Sequence, residues 1–252
     1  MDEAAVLRTR GLTRHFGGLA AVKDVSLECR MREVHAVIGP NGAGKTTLLN
    51  VLSGDLRPSA GTVVLGERDI TGLEPHRISK LGIGRSYQRT NVFLPLTAFE
   101  NCRLAAQSRL NSSMRFFRPA LSYRDVNKAA ERALAAAGLE GRGGTQVAAL
   151  SHGEQRQVEI AMTLATRPHM LLLDEPLAGM GAEESARIVE LLRKLAADHA
   201  ILLVEHDMDA VFAVADVLTV MVNGMVLESG RPGDIRASRA VQEAYLGEEV
   251  NG

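Results

Sequence analysis

Four short stretches of this sequence combine side chains and spacings suited to chemistry on phosphate groups. The first is Gly39-Pro40-Asn41-Gly42-Ala43-Gly44-Lys45-Thr46-Thr47, a G-x-x-x-x-G-K-T pattern. Its glycines let the backbone curl so that N–H groups point inward at phosphate oxygens. Lys45 adds a mobile point charge, and the Thr46 hydroxyl can ligate Mg²⁺. The second is Asp174-Glu175, two carboxylates that end the apolar run Met170-Leu171-Leu172-Leu173. Asp174 can hold Mg²⁺, and Glu175 can orient and activate a water for attack on a γ-phosphate. The third is Glu205-His206-Asp207, which ends a further apolar run, Ala200 to Val204. From that position His206 can donate to a γ-phosphate oxygen. The fourth is Ser151-His152-Gly153-Glu154, where Ser151 and Glu154 form a capping box. A hydroxyl, a glycine backbone and a helix N-terminus together also suit an anion.

These groups need elements to position them. Val34 to Ile38 reads as a short buried strand before the glycine loop, and Lys45 to Ser53 as the helix after it. Met170 to Leu173 and Ala200 to Val204 are continuous apolar strands of the kind buried in parallel sheets. Ligands of such sheets gather beyond the carboxyl ends of the strands, which is where the loop and the acids fall. Residues 6–12 and 19–29 read as two strands joined at Gly17-Gly18, with strands at 61–65 and from 82 to Gln88, and a short helix at 75–81. Phe16 precedes the Gly17 turn. Its ring can stack on a nucleotide base or simply cover core, and spacing does not choose between the two. Helices are expected at 97–110 and 125–137, the second with a Ser122-to-Asp125 capping box and Gly138 as its stop. A helix opens at Ser151, and Ile188, Leu191, Leu192 and Leu195 line one face of another. Val217 to Val222 and Met225 to Glu228 flank Asn223-Gly224, a strong hairpin signal, and 233–247 closes the chain as a helix. The fold class is therefore α/β: a P-loop core of mainly parallel sheet, an N-terminal antiparallel β region and an inserted helical subdomain. The core comprises 1–88 and 158–252, the helical and signature part 89–157.

Composition narrows the partners. The chain has 252 residues, 46% of them hydrophobic, and a formal net charge of −1. Nothing in that balance calls for nucleic acid. Cys29 and Cys102 show no metal-ligand spacing and suit a reduced compartment. No apolar run approaches a membrane span and no signal-peptide core opens the chain, so a cytoplasmic protein is expected. Residues 85–124 hold seven arginines against one acid, Glu100. Such a run is ordinarily a solvated face.

Taken in order, the pieces resemble the ATP-binding subunit of an ABC transporter over essentially the whole chain. GPNGAGKTT is similar to Walker A, LLLDEP to Walker B, Gln88 to the Q-loop, LSHGEQ to the signature and His206 to the switch histidine. Phe16 falls where the family places an adenine-stacking aromatic. LSHGEQRQVEIA, DEPLAGM and VQEAYLGEE resemble the branched-chain (hydrophobic) amino acid uptake group, in its LivG-like branch. The family's D-loop aspartate is Gly181 here, so no catalytic role is assigned to it.

The resemblance implies an ATPase that uses ATP and Mg²⁺ and works as a head-to-tail pair, a homodimer or a heterodimer with a sister subunit. Residues 39–47 of one chain and Ser151, Gly153 and Glu154 of the other would share each ATP. Lys45, Gln88, Glu175 and His206 would carry catalysis, with Thr46, Gln88 and Asp174 around the metal. It further implies membrane permease subunits as partners, a periplasmic solute-binding protein acting indirectly, and a peripheral place on the inner face of the plasma membrane. Some of Arg103, Arg109, Arg115 and Arg118 would face acidic permease loops or anionic lipid. The function expected is an importer motor for branched-chain or other hydrophobic amino acids. A urea or amide importer and a lipopolysaccharide exporter are the nearest alternatives. A non-transport ABC ATPase acting on ribosomes or DNA is a third, disfavoured by the absence of a second ATP domain and by the neutral charge.

Overall fold

The computed structural model describes residues 5–87, 91–109 and 123–249. Two sheets organise it. The first is antiparallel, β2(Leu19–Val25)-β1(Ala5–Phe16)-β5(Ala60–Leu65)-β6(Arg68–Asp69), with β3(Glu28–Arg30) also paired to β1. The second runs in the order β11(Met225–Gly230), β10(Val217–Val222), β4(Val34–Ile38), β9(Ala200–Val204), β8(Met170–Asp174), β7(Ile83–Arg85). It is parallel apart from the β10–β11 hairpin. Strands β4, β8 and β9 are buried at every residue, as continuous apolar strands covered on both faces must be.

One core lies between the two sheets and around α1(Lys45–Leu52), with Leu48, Leu49 and Leu52 packed against Val37, Leu172 and Leu202. A second covers the other face of the parallel sheet, where α6(Ala182–Ala196) contributes Ile188, Leu192 and Leu195. A third is helical, formed by α3(Ala98–Gln107), α4(Arg124–Ala136) and α5(His152–Ala165). Helix α5 belongs to two cores at once: Ile160 packs on the sheet while Val158, Ala161 and Ala165 pack on α3 and α4. A helix shared in this way ties the signature end to the sheet.

Most expected elements appear, with some differences: the strand expected from 82 to Gln88 ends at Arg85, and β6 is additional. The strand expected over 19–29 is two strands, β2 and β3. The Thr9 hydroxyl of β1 inserts between them, donating to Val25 O at 3.1 Å and accepting from Leu27 N at 2.9 Å. The helix expected over 233–247 is also two, α8(Pro232–Ala237) and α9(Arg239–Glu249), because Ser238 turns out in an extended conformation and bonds to Glu228 on β11. A short helix, α7(Met208–Val214), follows β9 and is capped by Asp207, whose carboxylate accepts from Ala210 N at 3.1 Å. Helix α4 has no side-chain cap at Tyr123, and Ser122 lies outside the described residues. The expected helix α2(Pro75–Leu81) and the stop at Gly138, φ 75°, stand as read.

The arginine run is only partly a solvated face. Arg85 is turned inward, and Arg109 donates to the carbonyls of Ser79 and Lys80 at the end of α2. Arg115 and Arg118 lie outside the described residues. Cys29 and Cys102 are both free and buried.

Candidate nucleotide site

The glycine loop joins β4 to α1. Gly39 and Gly44 have φ of 151° and 96°, and a Cβ on either would sit 2.1 Å from a carbonyl oxygen, of Met221 and Ala21 respectively. Only glycine fits where the loop meets β10 and β2 so closely. The tip of the β10–β11 hairpin completes the support: Gly224 N donates to Ala43 O at 3.1 Å, and Lys23 N donates to Gly224 O at 2.7 Å. Within the loop, Ala43 N donates to Pro40 O at 3.1 Å. Lys45 Nζ donates to Gly39 O at 2.6 Å and to Pro40 O at 2.8 Å, which holds the ammonium at the loop's inner edge. Asn41, Gly42 and Thr46 are exposed, and Pro40 and Thr47 half-buried, so the loop's outer surface is open to a ligand.

The ends of β8 and β9 bring the acids and the histidine to the same edge. Thr46 Oγ1 donates to Asp174 Oδ1 across 3.5 Å. Asp174 is buried, and burial pushes its pKa up, with the Arg85 guanidinium pulling the other way from 3.6 Å. A buried carboxylate beside a hydroxyl is a pair of hard oxygen donors, which fits Mg²⁺ held by few protein ligands and completed by phosphate and water. Glu175 has a left-handed backbone, φ 48°, an unusual conformation for a residue with a side chain. That twist is fixed by Glu175 N donating to Val204 O at 2.9 Å. His206 Nδ1 lies 4.0 Å from Glu175 Oε1, and the histidine side chain is 64% exposed.

Phe16 ends β1 at the hairpin turn and is 45% exposed, with the Arg14 guanidinium over its ring at 4.8 Å. Gln88 lies outside the described residues. Ser151 caps α5: its hydroxyl accepts from Glu154 N at 3.2 Å while the Glu154 carboxylate accepts from Ser151 N at 2.9 Å. Arg142 grips that carboxylate in turn, and the N–H bond from Ser151 holds the Glu154 pKa below the ordinary range. The hydroxyl of Ser151 and the N–H of Gly153 are turned towards Glu184 on α6.

Four further charged residues belong to the site. Arg85, at the end of β7, pairs with Asp55 at 2.8 Å and donates to Asn50 Oδ1 at 2.6 Å, so it braces Asp174 from the end of α1. Arg156 and Glu159 form a buried pair at 2.6 Å on α5. Arg156 also donates to Tyr87 O at 2.9 Å and Glu175 O at 3.0 Å, while Glu159 accepts from Tyr87 N at 3.1 Å. The signature helix is thereby bonded to the end of β7 and to Glu175. The available signal was an i, i+3 charge pair inside an apolar helical stretch, a position where charges persist only when paired. Glu205 is fully buried and accepts from Leu177 N at 2.8 Å and His206 N at 3.1 Å, which joins the turn after β8 to the histidine.

A sheet edge of this geometry, followed by a capped signature helix, defines an ATP-binding cassette. The chain belongs to the ABC transporter family of ATP-binding subunits, matching the family over residues 22–178 and the branched-chain amino acid ATP-binding cassette transporter family over 226–251. It is 39% identical to the high-affinity branched-chain amino acid transport ATP-binding protein LivG of Salmonella typhimurium, over 96% of this chain and 98% of that one. A nucleotide-free ATP-binding cassette from an ABC transporter superposes with a TM-score of 0.86 at 29% identity, covering 96% of this chain and 99% of that one. A dimeric cassette in a post-hydrolysis state with ADP and Pi gives a TM-score of 0.75 at 26% identity, covering 90% and 98%. The protein is an ATPase subunit with the ABC fold.

Proposed function

We propose that this chain is the motor of an importer for branched-chain amino acids, hydrolysing ATP at a site shared between two cassettes. The observation that carries the reading is the convergence of Lys45, Thr46, Asp174, Glu175 and His206 at one edge of the parallel sheet. The C-terminal match over 226–251 favours this substrate class over urea or lipopolysaccharide.

Residues Gly39 to Thr47 cradle the phosphates with backbone N–H groups at the positive end of α1. The Lys45 ammonium, held on two loop carbonyls, neutralises phosphate charge as that charge develops. Thr46 and Asp174 would hold Mg²⁺, which would supply charge stabilisation to the phosphoryl group when bound. Glu175 orients water and takes its proton. His206, next to it, donates to a γ-phosphate oxygen. Gln88 completes the catalytic set, and Phe16 stacks on adenine. Ser151 and Gly153 of the opposite cassette close on the γ-phosphate. The helical segment within 89–157 then acts as the arm that reports this closure.

A cavity of 340 Å³ lined by Ser79, Gly84, Tyr87, Asn91, Met162 and Thr166 supports the reading that permease subunits dock here. It lies between the arm and the core, where a cytoplasmic loop of a permease senses both. Among the described residues no helix is long and apolar enough to cross a membrane. On this reading, separate permeases carry the transport path and the chain sits peripherally on the inner face. The test is reconstitution with the permeases and binding protein in vesicles. Leucine, isoleucine or valine should raise ATP turnover several-fold; stimulation by urea instead, or by no amino acid, would overturn the assignment.

A further inference from the structure

In the single chain the signature already holds an anion, and that anion is its own. Oε1 of Glu184, in the first turn of α6, accepts from the Ser151 hydroxyl at 3.2 Å and from the Gly153 N–H at 3.2 Å. A Cβ on Gly153 would come 2.9 Å from that same oxygen, so the glycine is what admits the carboxylate to the helix end. Two further groups of the turn are occupied in the capping box: Glu154 N bonds the Ser151 oxygen and Ser151 N bonds Glu154. The hydroxyl proton of Ser151 and the N–H of Gly153 both go to Glu184.

We propose that Glu184 is a built-in competitor for the γ-phosphate of the partner's ATP. The inference rests on the head-to-tail pairing described above. One carboxylate oxygen and one phosphate oxygen ask for the same two donors, so the cassettes close only when Glu184 swings away. An intramolecular ligand has a high effective concentration, which raises the ATP needed for pairing. A carboxylate left near a triphosphate also repels it, so both effects act in the same direction. ADP has no γ-phosphate to displace the carboxylate. Glu184 therefore returns to Ser151 and Gly153 after hydrolysis and favours reopening.

The test uses the full chain carrying Glu175→Gln, which slows hydrolysis, with ATP-dependent pairing followed by light scattering. Glu184→Ala should lower the ATP concentration for half-maximal pairing by about three- to tenfold, the range expected for releasing a charged acceptor from two partly exposed hydrogen bonds. Glu184→Gln, which keeps an acceptor and loses the charge, should fall between. The control is Glu183→Ala, the neighbouring acid on the same turn, whose side chain is 92% exposed and bonds only distantly to Arg187 at 3.9 Å. Equal shifts for Glu183→Ala and Glu184→Ala would reduce the effect to general charge and overturn the proposal. No shift for Glu184→Ala, with the parent pairing normally, would overturn it too. If the parent does not pair at any ATP concentration, the pairing reading itself fails and takes the proposal with it.

Discussion

The buried pair Arg156–Glu159 gives the sharpest stability test. Arg156 and Glu159 are 2% and 4% exposed, and the guanidinium serves at least three acceptors, among them the Glu159 carboxylate and the carbonyls of Tyr87 and Glu175. Arg156→Ala leaves a buried carboxylate without its counter-ion and strips a donor from both carbonyls. Removing one partner of such a pair costs about 3–5 kcal/mol, a large share of the roughly 5–15 kcal/mol that holds a domain together. Arg156→Lys keeps the charge but cannot span all three acceptors, and should lose about half as much. Replacing both residues with apolar ones of similar size, Arg156→Met with Glu159→Leu, removes the buried charge altogether and should recover most of the loss. Urea unfolding gives these free energies, with an unchanged slope showing that the transition remains comparable. The double variant is the more telling. It should fold well yet hydrolyse ATP slowly, because the end of β7 and Glu175 are no longer bonded to the signature helix. A cost under about 1 kcal/mol for Arg156→Ala, or a double variant no more stable than the single, would contradict this role of the buried pair.

Two further outcomes follow from the same site. Asp174 has its pKa raised by burial, so the ionised form weakens the unliganded fold. A raised folded-state pKa means that the native state binds protons more readily, and this group's contribution therefore declines as pH rises from the unfolded value of 3.8 through the folded one. Asp174→Asn should flatten that part of the stability–pH profile and raise the thermal midpoint at neutral pH, while abolishing Mg²⁺-dependent hydrolysis. Calorimetry across pH, with a turnover assay alongside, checks both halves. Gly44→Ala puts a methyl 2.1 Å from Ala21 O at a φ of 96°. It should cost about 2–4 kcal/mol by strain and overpacking and lose nucleotide binding, read by equilibrium dialysis.

The sequence exposed the sheet edge more fully than the wiring beneath it. Strands β8 and β9 announced themselves as continuous apolar runs, and β4 as a mostly apolar one broken only by His35; the acids or glycines that follow such runs can only be at the sheet edge. The capping box at Ser151 was equally visible, since its two residues lie three apart. The break between β2 and β3 was not, because it depends on a Thr9 hydroxyl that arrives from another strand. Arg85 shows the same limit. In sequence it is one arginine among seven, and its inward role exists only because β7 runs beside β8 and ends near Asp174. Glu184 carries no motif at all. Its contact with Ser151 and Gly153 spans more than 30 residues and arises from how α6 packs beside α5.

In the proposed mechanism Glu175 activates water at a site whose binding machinery is separate from it. Glu175→Gln keeps the size of the side chain and removes the base. ATP affinity, measured by equilibrium binding, should be close to that of the parent, while turnover falls by about a hundredfold or more. Near-normal turnover in this variant, or loss of ATP binding along with turnover, would contradict the assignment.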